Sequence, residues 1–434
     1  MEGIIHLNQH TGRGLSTIEN PKKAGGLRSA GQETIRRINE TIVLNYIRYV
    51  TPISRASIAK ATGLQRSTIS IIIDDLIRNR IIYEVRAPSA RRGRVPYYLY
   101  LNPDYIYVIG VDVGLLQTTI ALSDFTGRIL EREIFATEKD PQGFVSKLVS
   151  AMKPLVDKAR SRSHLDGIGI AVPGLVDNSG KIRLAPNLGW RDFDLGPILK
   201  EEFGVPVYVE NVSKSAAMAH LWQDDLPGIG KNYVYVFVSS GIGTGLVFNG
   251  QLHAGFSGTA GEFGHMVIDP NGPECACGNR GCWEVIADNR SALRRYLQKV
   301  PDGSGRPLTI QELVALAREG NEAAREAIAE TAEYLAIGIG NILVSLNPEC
   351  VIVDGELTKV WDILGEVIQK SLKRGVFGLE LEHMRIMPSS MKLKPSLVGA
   401  ISCALSGHFA PPTFNFYRIP SLDTRLIERS AVLT

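Results

Sequence analysis

The first 31 residues carry no hydrophobic period; they are polar and Gly-rich and are expected to form a flexible arm. From Ile35 onward, apolar residues fall at Ile38, Ile42, Tyr46, Ile47 and Val50, which is helical spacing, and Pro52 marks the break. Ser54 is placed to cap a short helix ending near Thr62, and Gly63 supplies a tight turn. Ile69, Ile72, Ile73, Leu76 and Ile77 then form one stripe on a further helix. The first turn of that helix carries Gln65, Arg66, Ser67, Thr68 and Ser70 away from the stripe. Two β-prone runs follow at 81–85 and 95–101, and between them lies a hairpin loop with Arg91, Arg92 and Arg94.

Beyond Pro103 the texture changes. Buried strands are expected at 105–113, 167–172, 205–210, 233–238 and 350–353, and helices at 195–202, 213–222, 289–299 and 322–346. Strands alternating with helices predict an α/β architecture. No internal repeat of short period is visible. The last stretch, 410–434, has no clear period and is expected to be a C-terminal extension.

Composition narrows the class. The 434 residues are 44% hydrophobic and 21% charged, ordinary for a globular chain. No apolar run approaches the roughly 18 residues of a membrane span, so no membrane partner is expected. The N-terminus lacks a basic region followed by an apolar core, and five cysteines make no disulfide framework. A reducing, cytoplasmic location is the expectation.

The net charge of +3 hides an asymmetry. Residues 1–101 hold 16 Lys/Arg against 7 Asp/Glu, a net of +9, and the remainder carries −6. A basic N-terminal segment points to a polyanionic partner. Three helices with a tight turn before the third, then an Arg-tipped hairpin, predict a winged helix-turn-helix over 32–101. The Ile stripe would be buried while Gln65, Arg66, Ser67, Thr68 and Ser70 face base edges in the major groove. Arg91, Arg92 and Arg94 would neutralise phosphates or enter a minor groove. Operator DNA is therefore the expected partner.

Three of the five cysteines crowd into Cys275-Ala-Cys277-Gly-Asn-Arg-Gly-Cys282, ten residues after His265. Three thiolates and one imidazole make a four-coordinate Cys₃His zinc set. All four ligands are protein groups, so the zinc would be structural. Cys350 and Cys403, in apolar surroundings, are expected to be core thiols.

Glu262-Phe-Gly-His265, followed by Cys275-x-Cys277-Gly-x-x-Gly-Cys282-x-Glu284, resembles the signature of the ROK family of repressors, open reading frames and sugar kinases. The Gly-rich run Gly241-Ile-Gly243-Thr-Gly245, with Gly255, Gly261 and Gly264, matches that family's pattern too. The resemblance spans 105–409. It implies a two-lobed, actin-like (ribonuclease H-like) sugar-kinase fold with a cleft for a sugar. The N-terminal winged helix places the chain in the regulator subgroup, similar to xylose- and N-acetylglucosamine-type repressors. By resemblance, Gly174, Asn187, Asn211, Glu262, His265 and Glu284 line the sugar pocket.

The same comparison argues against phosphoryl transfer. A ROK kinase takes its general base from the Asp of a Glu-Asn-Asp run; here the run reads Glu210-Asn211-Val212. The first phosphate loop, Asp-x-Gly-Gly-Thr-Lys in kinases, reads Asp112-Val-Gly114-Leu115-Leu-Gln. The adenosine-side loop reads Val353-Asp354-Gly355-Glu356, whose carboxylates would repel a nucleotide polyanion. The expected protein is thus a sugar-responsive regulator, chiefly a repressor, with no catalytic residues and no ATP. It would work as a homodimer or homotetramer. Its rivals are an active ROK sugar kinase with an appended DNA-binding domain, and a regulator controlled by a protein partner.

Overall fold

A computed structural model describes residues 32–86, 97–223, 230–300, 309–375 and 384–409. Residues Thr41–Ala410 form one compact unit; the second comprises Met1–Glu40 and Pro411–Thr434, of which only 32–40 are described. Arg91, Arg92 and Arg94, and the expected arm and C-terminal extension, lie outside the described residues.

The chain begins with α1 (Gln32–Tyr49), α2 (Arg55–Thr62) and α3 (Arg66–Arg78). The α1 face differs from the expected stripe: Val43, Leu44 and Ile47 are buried, whereas Ile42 is exposed. Helix α2 starts as anticipated, with Ser54 accepting from the Ser57 amide, and ends at Gly63 in the left-handed region at φ +71°. On α3, Ile69, Ile72, Ile73 and Leu76 are buried. A two-stranded antiparallel ribbon follows, β1 (Ile82–Arg86) and β2 (Tyr97–Leu101), with Ile82 opposite Leu101. Arg55 ties the group together, its guanidinium 2.7 Å from both Asp74 on α3 and Glu84 on β1.

The first lobe contains β3 (Tyr107–Val113), β4 (Gln117–Asp124), β5 (Ile129–Ala136), α4 (Pro141–Arg162) and β6 (Leu165–Val172). A small sheet of β7 (Leu175–Val176), β8 (Ile182–Ala185) and β9 (Trp190–Phe193) precedes α5 (Leu195–Phe203), β10 (Val207–Asn211) and α6 (Val212–Gln223). The second lobe runs β11 (Tyr233–Val238), β12 (Ile242–Phe248), β13 (Gln251–Leu252), a 3₁₀ turn at Phe263–His265, α7 (Trp283–Ala287), α8 (Asn289–Lys299) and α9 (Ile310–Arg318). It continues with α10 (Glu322–Leu346), β14 (Cys350–Gly355), α11 (Trp361–Gly375), β15 (Arg385–Pro388) and α12 (Pro395–Phe409).

The two main sheets share one topology. Their orders are β5-β4-β3-β6-β10 and β13-β12-β11-β14-β15, each with three antiparallel strands followed by parallel ones. No short sequence period betrays this duplication. Every residue of β3 is buried because both faces are covered. Tyr107, Ile109, Val111 and Val113 meet α4, whereas Val108 packs with α12 residues Leu397, Ile401 and Leu405. In the second lobe, Val234, Val236 and Val238 join α10, while Tyr233 and Tyr235 pack with Ala216 and Ala217 of α6.

Helix α10 is long and apolar enough to cross a membrane, with 56% of its apolar window buried inside the fold. At Gly338 a side chain would collide with Trp283, whose indole N–H donates to Tyr334 O at 3.0 Å. That packing makes α10 a core helix.

Candidate functional site

The exposed start of α3 presents Gln65, Arg66 and Ser67; Thr68 and Ser70 are half-buried. Gln65 is the N-cap residue but makes no side-chain cap bond. Ile71, one helical turn beyond Ser67, is 59% exposed. Sequence reasoning left it off the buried stripe but gave it no place among the DNA-facing residues. An exposed apolar side chain beside polar ones is suited to a thymine methyl group.

The loop after β13 and the 3₁₀ turn bring His265, Cys275, Cys277 and Cys282 together, their ligand atoms all within 4.8 Å of one another. His265 Nδ1 lies 3.6 Å from Cys275 Sγ, and Cys277 Sγ lies 3.6 Å from Cys282 Sγ. A tetrahedral site with metal–sulfur bonds of about 2.3 Å has sulfur–sulfur edges of about 3.8 Å, so the donor set fits zinc. Burial pushes the Cys275 thiol above its ordinary range, with the Glu284 carboxylate adding to the rise. A divalent cation is what lets several thiolates share such a space. Cys350 and Cys403 stand apart, each pushed up to about 12 by burial.

The carboxylates of the expected sugar set adjoin this cluster. Glu284 Oε1 lies 3.4 Å from His265 Nδ1 and 3.1 Å from Cys275 Sγ, which donates to it. Glu262 is held above the usual carboxylate range, first by burial, with Lys214 and His265 opposing the rise. Asn211 is joined to Gly174: its Nδ2 donates to Gly174 O at 2.8 Å. Its Oδ1 accepts from the Ser213 and Lys214 amides at 2.8 and 3.3 Å, capping α6. Asn187 sits exposed in the turn between β8 and β9, and none of the described contacts joins its side chain to this group.

Lys214 is a further member that sequence reasoning missed. It is 2% exposed, and its ammonium donates to Gly258 O in the loop leading to Glu262. The signal was available: a lone lysine in the first two turns of a helix that there holds only small and apolar residues besides it.

Two glycines of the Gly241–Gly245 run have packing duties. A side chain at Gly243 would meet Ser213 Oγ at 2.1 Å, and one at Gly245 would meet Ala217 and Ser213 O at 2.6 Å. They let β12 approach α6. Beside them lies a cavity of about 470 Å³, lined by Val212 and Ala216 of α6 and by Val238, Asp354, Glu356 and Lys394. Its charges are partnered inside the protein: Lys359 pairs with Glu356, Tyr235 donates to Asp354, and Lys394 pairs with Asp112.

The family model for ROK matches residues 108–406. The chain belongs to the ROK family. Over 385 residues it is 32% identical to the xylose repressor of Bacillus subtilis, covering 88% of this chain and 98% of that protein. Over 387 residues it is 29% identical to the DNA-binding transcriptional dual regulator NagC of Escherichia coli, covering 87% and 95%. Among solved structures, a ROK family transcriptional regulator homologous to the Escherichia coli MLC protein aligns with a TM-score of 0.74 at 25% identity, covering 87% of this chain and 98% of that one. A ROK family glucokinase from Streptomyces griseus, in complex with glucose and AMPPNP, aligns at 0.61 and 27%, covering 69% of this chain and all of the enzyme's.

The ROK fold is thus shared with both regulators and kinases, whereas the regulator alignments cover more of the chain. The α1–α3 region fits a helix-turn-helix, and the mixed α/β remainder is the actin-like ROK body. Within that body, Val212 opens α6 immediately after Asn211, as the first residue of the helix.

Proposed function

We propose that this ROK protein is a sugar-responsive, DNA-binding transcriptional regulator of carbohydrate-metabolism genes, acting as a repressor. The observation that carries it is a single chain in which helices fitting a helix-turn-helix precede a ROK body whose α6 begins at a valine. The relatives that span the chain are named repressors or, in one case, a dual regulator, which supports a non-enzymatic role. A valine cannot accept the proton that a sugar hydroxyl must lose during phosphoryl transfer. Leu115 adds bulk to the first loop, and Asp112 is already held by Lys394 and Ser396.

The division into a DNA-binding segment at 32–101 and a sugar-binding body at 105–409 is part of this reading. Gln65, Arg66, Ser67, Thr68 and Ser70 would reach bases, while Arg91, Arg92 and Arg94 would meet phosphates. Gly174, Asn187, Asn211, Glu262, His265 and Glu284 would surround the sugar. Carboxylates and amides suit polyols because they offer paired acceptors and donors to adjacent hydroxyls. His265, Cys275, Cys277 and Cys282 would hold a zinc ion. Bound zinc would act as a structural crosslink, fixing Glu262 and the start of α7 with Glu284; such outer groups orient the ligands in turn.

A sugar changes DNA affinity only if it binds one conformation better than another. Helix-turn-helix proteins read half-sites as dimers, so a homodimer or homotetramer is part of the proposal. A regulator of genes works in the cytoplasm, the location proposed here. The test is a DNA mobility shift with and without pentoses, hexoses and N-acetyl sugars. Release by one sugar is the expected result. Retention with every sugar would sink the induction model and favour control by a protein partner.

A further inference from the structure

Helices α6 and α12 both begin at the cavity lined by Val212, Lys394 and Pro395, and both end on α1. At its start, α6 is capped by Asn211, and Lys214 in its first turn reaches the loop leading to Glu262. Helix α12 starts at Pro395, directly after Lys394, the partner of Asp112. The two helices touch closely along the way: a side chain at Gly399 would lie 1.7 Å from Ser215 O. With 12 residues, α6 is about 18 Å long.

The last four carbonyls of a helix lack partners inside it. Here α1 supplies a partner to one such carbonyl in each helix. Tyr49 Oη donates to Leu221 O of α6 at 3.0 Å, and Asn45 Nδ2 donates to Phe409 O of α12 at 2.8 Å. Between these bonds the Arg48 guanidinium lies 3.9 Å from the Trp222 ring and 4.9 Å from the Phe409 ring. A cation also complements the negative ends of both helices. Asn45, Arg48 and Tyr49 share one face of α1 at i, i+3 and i+4 spacing, so one face of α1 caps two helices, one starting beside Asn211 and the other beside Asp112.

We propose that the α6–α12 pair relays sugar occupancy to the DNA-binding helices, and that Asn45, Arg48 and Tyr49 are the residues that receive it. The relay rests on the sugar-response reading above. A rigid helix pair pinned at both ends transmits a displacement at Asn211 and Lys214 to α1, with no need for the sugar to touch DNA-binding residues. None of the three receiving residues lies on the α3 surface or in the sugar set.

Spatial continuity does not measure coupling, so the experiment must. Full-length wild type, R48M, Y49F and the double variant are titrated with a duplex selected from a random library for tightest binding, with and without D-xylose and N-acetylglucosamine. Sugar affinity is measured separately on DNA-free protein by calorimetry, and folding by thermal melts. Coupled sites typically change each other's affinity by about 5- to 150-fold. The double variant is expected to bind DNA and sugar separately as wild type does, while that factor falls toward one. Y49F, which removes one hydroxyl, should show a partial loss. Linkage requires the DNA-induced change in sugar affinity to fall equally. A factor unchanged in Y49F and R48M would overturn the relay alone. Wild-type DNA affinity indifferent to every sugar would overturn the sugar-response reading, and the relay with it.

Discussion

The Lys394 ammonium pairs with the Asp112 carboxylate, which is completely buried and accepts a second bond from Ser396 Oγ at 2.6 Å. An internal cation thereby engages the acidic residue of the first glycine loop. Restoring a base at the start of α6 should therefore not create a kinase. V212D is expected to show no sugar-dependent ADP release in a coupled assay, since Leu115 and the Asp112–Lys394 pair remain. Turnover by V212D would mean that the valine alone silences the site. K394A leaves a buried carboxylate short of its counter-ion; half of the lysine side chain is exposed, so a loss of about 1–3 kcal/mol is expected by denaturant unfolding.

Zinc content is the second measurement. Purified protein should carry about one zinc per chain by atomic emission. C277S is expected to lose the metal and, with it, sugar-induced thermal stabilisation, while DNA binding through α3 persists. Full zinc occupancy in C277S would exclude Cys277 as a ligand.

The DNA face makes a graded prediction. R66A should weaken binding to all duplexes if Arg66 meets phosphate, lowering the salt slope by about 1. I71A should instead relax preference at one base pair by about 1–3 kcal/mol, with the slope kept. Replacing Arg91, Arg92 and Arg94 by Ala should lower the slope further. A triple variant with the wild-type slope would remove the wing from the interface.

His220 governs a pH response of stability. It is 3% exposed on α6, its ring packs on Tyr235, and its Nε2 lies 3.3 Å from Ser389 Oγ. Burial lowers its pKa to about 4. The unfolded chain takes up this proton near pH 6.5, whereas the folded one resists until near pH 4. Stability from this group is therefore full above pH 6.5 and declines as pH falls toward 4, by roughly 3 kcal/mol in all. H220Q should flatten that part of the melting-temperature profile. An unchanged acid limb would assign it to other groups.

Much of the site was legible because its chemistry is local. Cys275, Cys277 and Cys282 lie within eight positions, and the glycines between them allow close return of the loop. The turn at Gly63 and the α3 stripe follow from neighbouring residues. Asn211 was harder. Its amide suits a sugar hydroxyl, yet the fold engages it in bonds to Gly174 and to the α6 amides. Residues three apart in sequence reveal a cap, but not that Gly174 O arrives from another strand end.

The sequence by itself determined the local elements, the clustering of cysteines near His265 and the basic N-terminal segment, because periodicity, spacing and charge are properties of short stretches. Tertiary structure alone decided the rest. It paired Lys394 with Asp112 across 282 positions, duplicated one sheet topology without a visible repeat, and turned Gly243 and Gly245 toward α6. It also set Asn45, Arg48 and Tyr49 on the C-terminal ends of α6 and α12. Each of these is a choice among competing partners for a buried charge, an unpaired carbonyl or a space without a side chain. Such choices are made only when distant segments pack.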